Sequence, residues 1–173
     1  MAKSIEHYQE ETMGLSIIEA KTPDQLDLVR QLFREYEAFL QIDLSFQDFE
    51  AELRALPGKY APPAGALLLA IDENTGDAAG CVAMRPMDAP GMVEMKRLFV
   101  RDAYRGRGVG KRLVETILLL ARQAAYHTMR LDTLNRLQSA IHLYQQQGFY
   151  QIPAYYHNPL EGVSYWEKRL DSP

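Results

Sequence analysis

Seven consecutive residues, Arg105-Gly106-Arg107-Gly108-Val109-Gly110-Lys111, carry the chemistry most readily read from the chain. They follow a strand-like run, Val93-Glu94-Met95-Lys96-Arg97-Leu98-Phe99-Val100, and lead into a helix-like run that starts at Lys111. Glycines ahead of a helix leave backbone N–H groups uncovered, and the helix start carries partial positive charge, so together they cradle phosphate oxygens. The dinucleotide fingerprint G-x-G-x-x-G is not met, because Gly106-x-Gly108 leads to Lys111 and Gly108-x-Gly110 leads to Leu113. The nucleotide P-loop fails as well: Arg105 stands where its first glycine belongs, and Arg112 where its magnesium-binding Ser or Thr belongs. Arginine-glycine segments that bind single-stranded nucleic acid are repeated and disordered, whereas this one occurs once between ordered elements. What remains is R-x-x-G-x-G, made by Arg105, Gly108 and Gly110.

Other residue types invite chemistry on their own. Glu94 is a carboxylate in an otherwise core-bound strand, where an unpaired charge is costly. Either a functional role or a pairing with Arg85, Lys96 or another basic neighbour accounts for it. Tyr144 lies on the apolar stripe Leu137, Ala140, Ile141, Tyr144, which suits a packed ring with its hydroxyl at the wet end. Cys81 is the one cysteine. It could in principle carry an acyl group, but its mid-strand setting in Ala79-Gly80-Cys81-Val82-Ala83 points to a buried, inert thiol. The histidines at 7, 127, 142 and 157 show no metal-ligand spacing, so no metal is expected.

The motif Arg105-x-x-Gly108-x-Gly110, after a strand ending at Val100, resembles the pyrophosphate loop of the GNAT superfamily of N-acetyltransferases. Downstream, Ala140-x-x-Leu143-Tyr144-x-x-x-Gly148-Phe149 is similar to that family's second signature, at the spacing the family requires. The resemblance is strong over 67–149. It implies acetyl-CoA as co-substrate, with backbone contacts from Leu98, Phe99 and Val100 to the pantetheine arm. It also implies that the amides of Arg105, Gly106, Arg107, Gly108, Val109, Gly110 and Lys111 hold the pyrophosphate, with Arg105 or Arg107 adding charge. Tyr144 is then the acid that protonates the departing thiolate, and Glu94 the general base, often through water. Many relatives carry an asparagine three residues before the alanine of the second signature; here that position is Leu137, with Asn135 two residues earlier.

The implied reaction is direct transfer of an acetyl group to a primary amine, of a small molecule or a protein, in a ternary complex. A catalytically idle acyl-CoA sensor of the same fold would share the cradle but needs neither acid nor base, so Tyr144 and Glu94 together favour the enzyme. The resemblance places the acceptor between the first helices and the C-terminal hairpin, where Arg34, Tyr36, Tyr60, Tyr155, Tyr156 and Trp166 occur. Arg34, Tyr36 and Tyr155 are the acceptor candidates taken from this set. Aromatic walls with one or two arginines suit a small amine that also bears a carboxylate. Under strict alternation Lys96 shares a strand face with Glu94 while Arg97 faces away; a bulge would change that parity.

The elements that must position these residues alternate along the chain. A strand at 15–20 is followed by the capping pattern Thr22-Pro23-Asp24-Gln25 and a helix with Leu26, Val29, Leu32, Phe33, Tyr36 and Leu40 on one stripe. A short helix at 46–56 and a Pro/Gly loop come next. Strands at 67–71, 78–84 and 93–100 precede a helix at 108–125, a strand at 129–134 and a helix at 137–147 stopped by Gly148. A last strand at 163–170 closes the sheet. Consecutive strands with one βαβ unit predict a mixed sheet. The resemblance makes this an α+β fold whose central sheet is mixed and mostly antiparallel, with helices on both faces.

Composition fits one domain. The 173 residues, 47% hydrophobic, can bury a sizeable core. A net charge of -4 leaves no global basic footprint for nucleic acid. The longest apolar run, 66–71, is too short to cross a bilayer. We expect a polar N-terminal extension at 1–14 without the apolar core of a signal peptide, then a single N-acetyltransferase domain over 15–173. The lone cysteine suits a cytoplasmic protein, and association as a homodimer is left open.

Overall fold

The structure, a computed structural model, describes residues 14–170. Apart from Gly14, the expected N-terminal extension lies outside the described residues. One seven-stranded sheet runs through the molecule in the order β1-β2-β3-β4-β5-β7-β6. Its strands are β1 Leu15–Glu19, β2 Ala66–Asp72, β3 Ala78–Pro86, β4 Met92–Val100, β5 Thr128–Leu134, β6 Tyr150–Ile152 and β7 Val163–Arg169. All neighbours are antiparallel except β4 and β5, which are joined in parallel across α3, Val109–Gln123.

Helices cover both faces, which is why β2 and β3 read as unbroken apolar runs instead of alternating ones. Leu68, Ala70, Val82, Met84, Val93 and Met95 pack with Leu113, Val114 and Ile117 of α3. On the other face Leu67, Leu69, Cys81 and Ala83 meet α1, Pro23–Leu40, and α2, Phe49–Ala55. α1 opens as its sequence dictates. The Thr22 hydroxyl accepts from the Gln25 N–H, the Gln25 side chain accepts from the Thr22 N–H, and Pro23 occupies the first turn. Its stripe buries Val29, Leu32, Phe33 and Leu40.

Two elements differ from the sequence reading. The second helix starts at Phe49, because Ser45–Gln47 forms a 3-10 turn and Asp48 takes a left-handed conformation with φ 58. β6 was not anticipated, since three residues are too few to show a period. It takes the sheet edge, so β7 lies between β5 and β6. Among the described residues no helix is long and apolar enough to cross a membrane.

One irregularity shapes everything near the glycine loop. Cys81 of β3 opposes Phe99 and Ala83 opposes Lys96, so Arg97 and Leu98 together stand across from Val82. This is a bulge in β4, and Arg97 holds φ 60 to make it. The parity shift brings Arg97 onto the same face as Glu94 and Lys96, toward α2, contrary to strict alternation. A bulge also increases local twist. Beyond Met92–Glu94, which pair with Thr128–Arg130, β4 and β5 share no further register.

Inside the sheet, the Arg97 guanidinium donates to Glu52 of α2, with Nε 3.0 Å from Oε2, and lies 5.3 Å from the Phe49 ring centroid. The Tyr60 hydroxyl donates to the other Glu52 oxygen at 2.7 Å. Removing one member of such a buried pair leaves the other charge uncompensated. Glu52→Ala should therefore lower the unfolding free energy by about 3 kcal/mol, read as a shifted urea midpoint. A loss below about 1 kcal/mol would show that Arg97 reaches water without its partner.

Candidate active site

The glycine loop folds as its composition requires. Gly106 and Gly108 hold φ 74 and 75, the left-handed region open to residues without a Cβ, and α3 begins at Val109. The Arg112 N–H is the first to return to the loop, 3.1 Å from the Gly108 carbonyl. The N–H groups of 106–111 find no carbonyl among the described residues. Those of Gly106 and 108–111 belong to residues that line one end of a cavity of about 660 Å³. Uncovered amides at the positive end of a helix dipole give this end the chemistry that can hold phosphate oxygens.

Arg105 and Arg107 part company. Arg105 donates from Nε to the Val100 carbonyl at 3.1 Å, pairs with Asp102 at 2.8 Å and sets its guanidinium 4.4 Å from the Phe39 ring centroid. It thereby bridges the loop to α1 while forming part of the cavity wall. Arg107 turns to the Tyr104 ring, 5.1 Å away, and is absent from that wall.

From the cradle the cavity runs into the gap where β4 and β5 separate. Leu98, Phe99 and Val100 line one side, and Leu131 to Leu134 the other. Since β4 has left β5, this edge presents strand-spaced polar backbone to the cavity, which can take up a peptide-like chain in the manner of an added strand. Tyr144, on α4 Gln138–Gln146, forms part of the wall. Its ring is buried 5.8 Å from that of Phe149. Among the described residues no protein group hydrogen-bonds its hydroxyl, and no fully enclosed side-chain oxygen there lacks a partner, so the hydroxyl opens onto the cavity. Burial pushes the Tyr144 hydroxyl well above the usual tyrosine range, keeping its proton on.

Of the acceptor candidates, Tyr36 lines the cavity; Arg34 and Tyr155 do not. Arg34 is exposed and forms a two-point ion pair with Glu50. Tyr155 donates to Glu94 Oε2 at 2.7 Å, while Arg85 donates to Glu94 Oε1 at 3.0 and 3.2 Å. Glu94 is thus buried, engaged on both oxygens and outside the cavity wall. Cys81 is fully buried, donates to the Arg97 carbonyl at 3.4 Å, and has its thiol pKa pushed up by burial. Among the described residues no three His, Cys, Asp or Glu side chains gather as metal ligands would.

Lys96, Asp132, Gln47 and Asn158 also line the cavity; of these, sequence reasoning named only Lys96, as a possible partner of Glu94. Lys96 is buried with its Nζ 3.4 Å from Gln47 Oε1 and 3.8 Å from Glu94 Oε1. Asp132 Oδ2 accepts from the Tyr156 hydroxyl at 2.6 Å and from Asn158 Nδ2 at 3.1 Å. A signal for Asp132 was present: alternation places it on the face that carries apolar Leu134, the same charge-in-core pattern that drew notice to Glu94.

The sequence model of the acetyltransferase (GNAT) family matches residues 26–149. An uncharacterized N-acetyltransferase of Schizosaccharomyces pombe is 43% identical over 152 residues, covering 88% of this chain and 93% of its own. A GNAT-family acetyltransferase of Staphylococcus aureus shares the fold with a TM-score of 0.76 at 21% identity, covering 91% of this chain and 99% of its own. A Salmonella typhimurium protein described as an acetyltransferase, solved with its cofactor acetyl-CoA, shares the fold with a TM-score of 0.63 at 21% identity, covering 92% and 95% of the two chains.

Gly108→Asp tests the cradle. Aspartate is among the few side-chain residues that visit the left-handed conformation, and an added Cβ at Gly108 meets no atom within 4 Å, so the strain is local, but its carboxylate would stand against incoming phosphates. Calorimetry should show acetyl-CoA affinity reduced by roughly a hundredfold. Unchanged affinity in folded protein would remove the phosphates from this loop.

Proposed function

The chain belongs to the GNAT family of acetyltransferases, and on that premise we propose that it moves the acetyl group of acetyl-CoA to the primary amine of a small molecule. Transfer is direct, within a ternary complex in the cytoplasm. The observation that carries this reading is the Tyr144 hydroxyl, open to the same cavity whose far end is the amide cradle. The uncovered amides of Gly106 and of 108–111 receive the pyrophosphate, and the free β4 edge at Leu98 to Val100 receives the amide-bearing pantetheine arm.

A thioester held along that edge brings its carbonyl near the wall that includes Tyr144. The neutral amine nitrogen attacks the carbonyl carbon, the carbon–sulfur bond breaks, the Tyr144 hydroxyl gives its proton to the departing sulfur, and the proton released by the nitrogen passes to water, from which Tyr144 is reprotonated. The burial that keeps a proton on Tyr144 until the thiolate forms equally disfavours a bare thiolate beside it, so the sulfur gains from the transfer while Tyr144 must be promptly reprotonated. Glu94 already serves Arg85 and Tyr155, and we assign it the holding of that ion cluster in preference to direct proton removal. Full burial of Cys81 supports direct attack over an acyl-cysteine intermediate.

Release of free thiol from acetyl-CoA in the presence of small amines, confirmed by mass of the acetylated product, is the test. Cofactor binding without turnover across the amines would identify an acyl-CoA sensor instead. Tyr144→Phe should lower kcat by roughly a hundredfold while leaving acetyl-CoA affinity within about twofold. Wild-type turnover in that variant would return Tyr144 to the core.

A further inference from the structure

Beyond the cradle, the cavity presents two opposite charges from the two strands that separate around it: Lys96 of β4 and Asp132 of β5. Other cations in that part of the wall are engaged. Arg97 is held by Glu52, and Arg136 by the Leu40 carbonyl. Lys96 is different. Its three ammonium hydrogens meet one long contact to Gln47 Oε1, at 3.4 Å, and a more distant Glu94 oxygen already bonded by Arg85. Burial depresses its pKa, which marks an ammonium short of compensating charge. Asp132 is the converse: Oδ2 is fixed by Tyr156 and Asn158, and among the described residues Oδ1 has no donor.

No ion pair joins Lys96 and Asp132 among the described residues, yet Asp132 acts electrostatically on Lys96, on Tyr36 and on Tyr144. The hydroxyl assigned as acid is held protonated first by burial and, to a lesser degree, by the Asp132 carboxylate. Apolar and aromatic side chains, Tyr36, Phe39, Ile42, Leu160 and Val163, complete this part of the wall.

We propose that the acetyl acceptor is a free α-amino acid with an apolar side chain, its carboxylate bound by Lys96 and its amine received by Asp132 Oδ1. This rests on the acetyltransferase reading above and names its acceptor class. An α-carboxylate supplies the anion that Lys96 lacks, and the amine, bound neutral with its lone pair free for attack, supplies through an N–H the donor that Asp132 Oδ1 lacks. The side chain then lies against the aromatic and aliphatic wall. As the nitrogen–carbon bond forms, the nitrogen becomes acidic and its proton passes to Asp132 Oδ1. The carbon–sulfur bond breaks, and Tyr144 protonates the sulfur. A protein N-terminus or a simple amine would leave Lys96 facing the cavity without its anion.

The experiment compares three acceptors with acetyl-CoA at saturation: L-phenylalanine, its carboxamide and phenethylamine. We expect kcat/KM for the amino acid to exceed both others by roughly tenfold to a hundredfold. Lys96→Met, and Lys96→Gln as a second variant, should abolish that preference mainly through KM for the amino acid, with acetyl-CoA affinity measured separately as a folding control. Asp132→Asn should lower kcat for all three. Equal use of the three acceptors, or a preference that survives both Lys96 variants, would overturn the amino-acid assignment and leave acetyl transfer intact. An Asp132→Asn variant with wild-type kcat would remove Asp132 from proton transfer. Binding of acetyl-CoA with no transfer to any of the three would overturn the amino-acid assignment; extending that silence to a wide amine panel is what would sink the acetyltransferase reading itself.

Discussion

The structure depends on one geometric constraint: β4 must leave β5 after only three paired residues. Two parallel strands that stayed together would bury their backbone groups in each other and leave no cavity. The bulge at Arg97 twists β4 at the point of departure and pins the twist with an ion pair to α2. A left-handed arginine is an unusual conformation for a residue with a long side chain. It is held because the guanidinium finds Glu52 and the Phe49 face on the side to which the bulge turns it. Local strain and the separation of the strands thus have a common support in α2.

The buried charges follow from the same shift. Glu94, Lys96 and Arg97 all face α2, an arrangement that an apolar sheet face tolerates only with partners at hand. Arg97 and Glu94 have theirs, in Glu52, Arg85 and Tyr155. Lys96, which lines the cavity, is the least satisfied of the three. Compensation thus falls short at Lys96 and not at Arg97 beside it, and there a ligand can supply what the protein withholds.

Much of this was legible from residues alone. The cradle could be read because glycines, arginines and a helix start are local features, and backbone φ at Gly106 and Gly108 confirms why glycine stands there. The capping box of α1 was legible for the same reason. What failed to show were features set by tertiary parity. Alternation placed Arg97 on the wrong face, because one bulge residue reverses everything beyond it. Glu94 drew notice as an inner charge, but sequence could not say which of two strands would turn its carboxylate to the cavity; Asp132 does so, and Glu94 is enclosed by Arg85 and Tyr155. Arg34 looked available and is taken up by Glu50 across two helices. β6 escaped detection because three residues carry no period.

The consecutive tyrosines of the β6–β7 loop reach in two directions. Tyr155 bonds Glu94, the last residue of β4 still paired to β5, while Tyr156 bonds Asp132, beyond the point of separation on β5. Two adjacent residues of one loop thus clasp both strands beside the opening. Their hydroxyls fix how far apart the strands stand, as a spreader bar fixes a sail. Asp132 joins that clasp to the cavity, since one of its carboxylate oxygens takes the Tyr156 bond while the other is left to the cavity side, so the loop that sets the strand spacing also aims the open oxygen.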